Sequence, residues 1–317
     1  MTRNLCNSHR LKDGPGGATG AQSQVVLRAP QRWLRRLVAM LLLPLMSACS
    51  TLQFTYNQGP TLSFWWLDSY VDFSDEQSAP ARNEIENWFE WHRSTQLPGY
   101  SVFLGDLAAQ STRPVTPGQL CAVMTQIELR LLDAYDRAVP AMARVIRTFK
   151  PQQLDHLARR YAKAVQTAFE DHVEPPAEER QAKSLKRWTE NLEGFYGPLD
   201  DAQRAWLGQR LKAIPFNPQV WVEERRLWHA QIVDGLRALN RARAEQTDYE
   251  AALRAYAVMA TRSPRESYRA YRARLTQAQC ALLSEFHNSA RPGQRQRAAD
   301  KIKQYVSDLR ALQGAPS

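Results

Sequence analysis

No stretch of this chain alternates β-branched and polar residues for long enough to make a half-buried strand, which removes sheet-based folds from consideration. Long apolar runs are also missing. Leu37 to Met46 is ten residues with Pro44 inside it, whereas a helix that crosses a bilayer needs roughly 20. Glycine occurs in none of the patterns that cradle a phosphate or a dinucleotide, and neither GxSxG nor HExxH is present. His92, His156, His172, His229 and His287 are scattered without metal-ligand spacing, and no cysteine has a CxxC partner. No metal and no cofactor is therefore expected. Excess charge is scarce as well. Of 42 basic and 32 acidic residues, seven and one fall within residues 1–48, which leaves 35 against 31, a net of +4. A nucleic-acid binder would keep its excess and concentrate it on one face, so no nucleic-acid partner is expected.

What is present begins with an export signal. Arg32, Arg35 and Arg36 precede the apolar run, and Met46-Ser47-Ala48-Cys49 comes after it. A basic flank, a short apolar core and small residues before a cleavage point make a secretory leader. The cysteine directly after the small pair resembles the lipobox of a bacterial lipoprotein. On that resemblance Cys49 is acylated and becomes the first residue after cleavage, and the absence of Asp at position 50 favours the outer membrane. Residues 1–30 are rich in Gly, Ser, Asn and Gln and carry no apolar period. Either the leader is long or translation starts later, at Val25, Val26 or Leu27; in both readings this segment stays outside the fold. The expected organisation is a leader over 1–48, a lipid-anchored linker over 49–73 and an all-helical domain over 74–313.

Cys6 leaves with the leader and Cys49 takes lipid, so Cys121 and Cys280 remain, either bridged or as two small buried thiols. The linker is dense in aromatics (Phe54, Tyr56, Phe64, Trp65, Trp66, Tyr70) and Gly59-Pro60 prevents one continuous helix. It is read as a short non-helical segment that docks on the fold or sits at a lipid interface. From Ser74 onward a cap residue with Gln three positions later keeps returning: Ser74/Gln77, Thr116/Gln119, Asp200/Gln203 and Thr276/Gln279, with Lys150/Gln153 and Arg291/Gln294 as degenerate copies. Each reads as a helix start, since the cap accepts an orphan amide and the Gln returns a bond. Ser263-Pro264-Arg265-Glu266 reads as another. Apolar periods support helices between them, among them the face Leu120, Met124, Ile127, Leu131, and Pro140 is expected to break or kink its helix. The fold class is all-α, an irregular multi-helix bundle of about eight to ten helices.

Three side-chain groups could carry chemistry. Asp68, Asp72, Trp91, His92, Arg93 and Tyr100 form the first, with His92 as a shuttle or ligand and the acids as general acid and base. The plainer account packs Trp88 and Trp91 in the core and sets the acids against a helix amino end. Arg262, Arg265, Arg269 and Arg272, interleaved with Tyr268 and Tyr271, could meet an anionic glycolipid or an acidic envelope protein. The alternative is a solvated face. Trp188, Trp206, Trp221 and Trp228 could form a glycan platform; because Trp221 and Trp228 share a helical face with Arg225, core packing is the favoured reading.

Cys49-Ser50, Tyr56-Asn57, Leu67 to Asp72, Gln77, Trp91-His92-Arg93 and Leu97-Pro98-Gly99-Tyr100 resemble the signature of an uncharacterised family of helical lipoproteins from proteobacteria, a domain of unknown function. The resemblance runs from Cys49 to about Leu312. It implies a lipid-anchored envelope protein on the periplasmic face of the outer membrane and carries over no catalytic residue. The Leu275-Thr276-x-x-Gln279 motif is also similar to repeats of small periplasmic stress chaperones. The expected function is a non-enzymatic helical binding or scaffold protein anchored by Cys49. A holdase-type chaperone or stress adaptor is the alternative, and an envelope hydrolase using His92 with Asp68 or Asp72 is the third reading.

Overall fold

The computed structural model describes residues 51–314, so the leader and Cys49 lie outside the described residues. Among those described, every regular element is helical. α1 (Thr51–Asn57) and α2 (Gly59–Val71) come first, then α3 (Asp75–Trp91). A π-helical turn (His92–Gln96) joins α3 to α4 (Leu97–Gln110), and α5 (Pro117–Ile146) and α6 (Pro151–His172) come next. α7 (Ala177–Tyr196), α8 (Asp201–Lys212), α9 (Pro218–Ala242), α10 (Gln246–Thr261), α11 (Glu266–Ser289) and α12 (Pro292–Gly314) complete the chain. Ten α-helices thus lie beyond Ser74, as the start signals suggest, and no described helix is long and apolar enough to cross a membrane.

The segment over 51–71 is helical, which corrects the expectation of a non-helical linker. Pro60 has no amide to donate, so the helix does break there. Yet Gln58 N still reaches Phe54 O at 3.1 Å and Leu62 N reaches Gln58 O at 3.0 Å, which carries the helical register across the break. Gly59 is needed at this point, because a methyl group there would collide with the Phe89 ring of α3. α2 ends at Asp72 in a left-handed conformation with φ 55°.

Five of the cap-and-Gln signals open helices, and their glutamines do more than cap. Gln77 Nε2 donates to Gln153 Oε1 at 3.3 Å and Gln153 Nε2 donates back to Gln77 Oε1 at 2.8 Å. Gln203 and Gln294 exchange amide bonds in the same way, at 2.9 and 3.1 Å. The helix starts are therefore fixed in pairs, α3 with α6 and α8 with α12. Gln153 is buried and also donates to Val71 O and Asp72 O. Gln153→Ala strips partners from the buried Gln77 amide and from part-buried backbone groups of Val71 and Asp72, and urea unfolding should register a loss of about 2 kcal/mol.

One start signal fails. Leu275 to Gln279 lies inside α11, because Leu275 and Cys280 are already buried there and the helix has no reason to restart. Ser263 to Glu266 does lead into a helix, since α11 opens at Glu266, but it does so with no side-chain cap bond and so without the expected capping box. Pro140 likewise does not end α5, whose register is held on both sides by fully buried Val139 and Ala143.

α4 lies along α12, α6 along α9, and α5 along α10 and α11, while α2 bridges α3 and α6. Three apolar clusters result. The largest joins the carboxyl half of α5 to α6, α9 and α10 through Val139, Ala143, Leu154, Leu157, Ile232, Leu236 and Tyr249. A second joins α7, α8 and α11 around Leu207 and Phe286. The third joins α1, α4 and α12 around Leu97 and Leu312. The amino half of α5 has no comparable partner. Met124, Ile127 and Leu131, which share the apolar face read from the sequence, are 38%, 46% and 65% exposed. The Cys121–Cys280 disulfide, with 5.6 Å between the Cα atoms, ties this half of α5 to α11.

Candidate functional site

The Trp91-His92-Arg93 sequence sits where α3 passes through the π-helical turn into α4. A π-turn inserts an extra residue per turn and rotates the downstream helix, so it often marks a constrained position. Here the constraint is an aromatic nest built from three elements. The His92 ring stacks on Trp88 with centroids 4.7 Å apart, Tyr100 of α4 meets it edge-on at 5.4 Å, and Tyr56 of α1 hydrogen-bonds His92 Nδ1 at 2.9 Å. Trp88 Nε1 donates to Ala134 O of α5 at 2.9 Å, which locks the stacking plane. Arg93 reaches in a different direction. It donates to Asn57 Oδ1 and to Leu312 O, the latter a carbonyl near the carboxyl end of α12, where a cation offsets the exposed helix carbonyls.

Burial holds the His92 imidazole down to about 4 and pushes the Tyr56 phenol up to about 12. Both are neutral near pH 7. A general acid or base works best with a pKa near the operating pH, so this imidazole is poorly matched to proton transfer there. His287 repeats the arrangement: its Nε2 donates to Arg113 O at 2.8 Å, so its Nδ1 accepts from Tyr196 Oη at 2.8 Å. Both tyrosine–histidine contacts tie separate helices together.

Asp68 and Asp72 are not part of this nest. Asp68 Oδ1 accepts from Phe73 N at 2.9 Å and closes the end of α2, while Asp72 O accepts from Gln153. None of the hydrogen bonds or ion pairs among the described residues joins either acid to His92. The six residues expected as one cluster thus divide. Trp91, His92, Arg93 and Tyr100 belong to the α1–α3–α4 junction, and the two aspartates terminate α2. The reason is that Asp68 sits on the last turn of α2 and Asp72 caps it, where both are engaged at the helix end and by α6. Glu76 accepts from the Ser74 hydroxyl at 2.8 Å, and that bond holds its carboxyl below the usual range. Among the described residues no group of three or more His, Cys, Asp or Glu side chains could hold a metal ion.

The arginine surface divides as well. Arg265 is paired with Glu224 at 2.6 Å and leaves the anion-facing set. Arg262, Arg269 and Arg272 line a cavity of about 330 Å³ between the amino half of α5, the α10–α11 connection and the first turns of α11. The disulfide forms part of its wall through Cys121. Sequence spacing could show that the arginines share a helix end; it could not show that the chain leaves an opening beneath them.

Aromatic density singles out Trp65 and Trp66 in the sequence without saying which way they face. The structure places Phe54, Leu62, Trp65 and Trp66 in solvent, 65%, 47%, 60% and 61% exposed, while Phe64 between them is buried. Leu62, Trp65 and Trp66 fall at i, i+3 and i+4 on one face of α2, and the register carried across Gln58 brings Phe54 onto the same side.

No curated protein and no solved structure matches the chain. One family model does match, over residues 69–269, more than half the sequence, and the chain therefore belongs to DUF6279, a family of unknown function.

Proposed function

We propose that this protein is a non-enzymatic, lipid-anchored helical scaffold or binding protein, acylated at Cys49 and held at the periplasmic face of the outer membrane. The observation that supports this most is the uncharged, aromatic face of α1 and α2. Phe54, Leu62, Trp65 and Trp66 are exposed within a segment that begins two residues after Cys49 and carries no charge before Asp68. Tryptophan favours the zone between lipid tails and water, so such a face suits a helix lying in the membrane surface beside its acyl chains. A Cys121–Cys280 disulfide fits the same compartment, because disulfides persist where thiols are not held reduced.

Cys49→Ser separates the two contributions. The variant should lose labelled palmitate and move from the sedimented membranes to the soluble fraction. With Cys49 intact, Trp65→Ser/Trp66→Ser should keep the label but raise membrane release by high salt or carbonate. A Cys49→Ser chain that sediments unchanged, with no label in the native protein, would remove this placement.

A second reading, a holdase-type chaperone, is favoured by the exposed Met124, Ile127 and Leu131 on α5. Exposed apolar stripes can take up unfolded chains. Suppression of client aggregation that is lost on Ile127→Ser/Leu131→Ser would support it.

A further inference from the structure

We propose that the cavity between α5 and α11 is a binding site for a phosphate monoester group, held by Arg262, Arg269 and Arg272. Three guanidinium groups line it against a single carboxylate, Glu128. The balance is about +2, which matches the charge of a phosphate monoester dianion. Arginines elsewhere on the protein differ from these in their partners. Arg210, Arg226, Arg254 and Arg265 each hold a carboxylate, whereas none of the three in the cavity has an ion pair among the described residues.

Position is also prepared. Arg269 Nη1 donates to Ser263 O at 2.9 Å and Pro264 O at 2.8 Å, which fixes its guanidinium plane at the mouth of α11. A planar fork fixed in this way can give two parallel bonds to a tetrahedral oxyanion with little further loss of freedom. Thr276 and Tyr268 carry hydroxyls on the lining that can donate to the remaining oxygens. The volume, about 330 Å³, accommodates a phosphoryl group with the first atoms of what it esterifies. Two sources present this chemistry, a soluble phosphate ester and the phosphate headgroup of a lipid.

Calorimetric titration of the full-length chain in an uncharged detergent with inorganic phosphate tests the site. Saturable binding is expected. Arg269→Gln and Arg272→Gln should each weaken it about tenfold, and Glu128→Gln should tighten it by removing the opposing charge. Arg226→Gln, which breaks a surface pair with Glu223 elsewhere, should change nothing. Circular dichroism of each variant guards against unfolding. Flotation of the Cys49→Ser chain with phosphatidylcholine vesicles, with and without phosphatidic acid, separates the sources. Flotation that depends on both phosphatidic acid and Arg269 assigns a lipid headgroup, and phosphate binding without it assigns a soluble ester. Absence of saturable binding, or equal loss in Arg226→Gln, overturns the proposal.

Discussion

Cys121→Ser/Cys280→Ser is expected to cost this protein about 4 kcal/mol of stability, a fall in melting temperature of roughly 10 °C. The bridge spans 159 residues, so cutting it releases a large loop in the unfolded ensemble. The folded side of the argument is specific to α5. Along this helix the first buried residue is Ala134, and Met124, Ile127, Leu129 and Leu131 before it are exposed. Burial therefore does little to hold residues 117–133 in place, and the disulfide ties them covalently to α11. Hydrogen exchange after reduction should show this half of α5 losing protection while the Val139–Ala143 half, packed on α6, α9 and α10, keeps it. Calorimetry with and without reductant measures the global effect. Alkylation of two free thiols in the unreduced, denatured protein would show that the bridge is not made.

Acid should destabilise the fold well before its carboxylates titrate. Burial, aided by the nearby Arg225 guanidinium, holds His229 down to about 4, and burial does the same to His92. Burial also lowers His287. An unfolded histidine titrates near 6.5. Between those two values the unfolded chain binds more protons than the folded one, so stability is whole above about pH 6.5 and drains away as the pH falls towards 4. His229 is 5% exposed, stacks on Tyr161 with centroids 4.0 Å apart, and leaves Nδ1 without a partner. A second ring proton would be buried beside Arg225. For this residue alone the loss is roughly 3 kcal/mol over the window, and His92, half-buried, adds less. Urea midpoints at about pH 7.5 and about pH 4.5 measure the slope. His229→Phe keeps a flat ring against Tyr161 and removes the titration, so its profile should flatten; an unaltered slope would acquit His229.

Helix identity is legible in the sequence because capping is local. Ser74/Gln77, Thr116/Gln119 and Asp200/Gln203 satisfy orphan amides within four residues, and each opens a helix. Where the outcome depends on remote partners, local letters mislead. Leu275 to Gln279 has the right letters for a start, but its neighbours are already committed to a buried helix. Leu120, Met124, Ile127 and Leu131 have the right period for a core, but only Leu120 is half-buried and the other three stay exposed. Aromatic density at 54–66 carries no sign of which rings face out. The His92 nest is mostly visible: Trp88, Trp91, His92, Arg93 and Tyr100 stand close together in sequence, whereas Tyr56 is brought in by the packing of α1. The separation of Asp68 and Asp72 from His92 is equally a matter of where α2 ends, which spacing does not encode.

The reciprocal glutamine amides carry a consequence for descent. Either member of Gln77–Gln153 or Gln203–Gln294 can be replaced only at the expense of its mate, because each carboxamide is turned to suit the other's donor and acceptor. Chains that share this ancestry should exchange both letters of a couple together or neither, though the two positions stand 76 and 91 places apart.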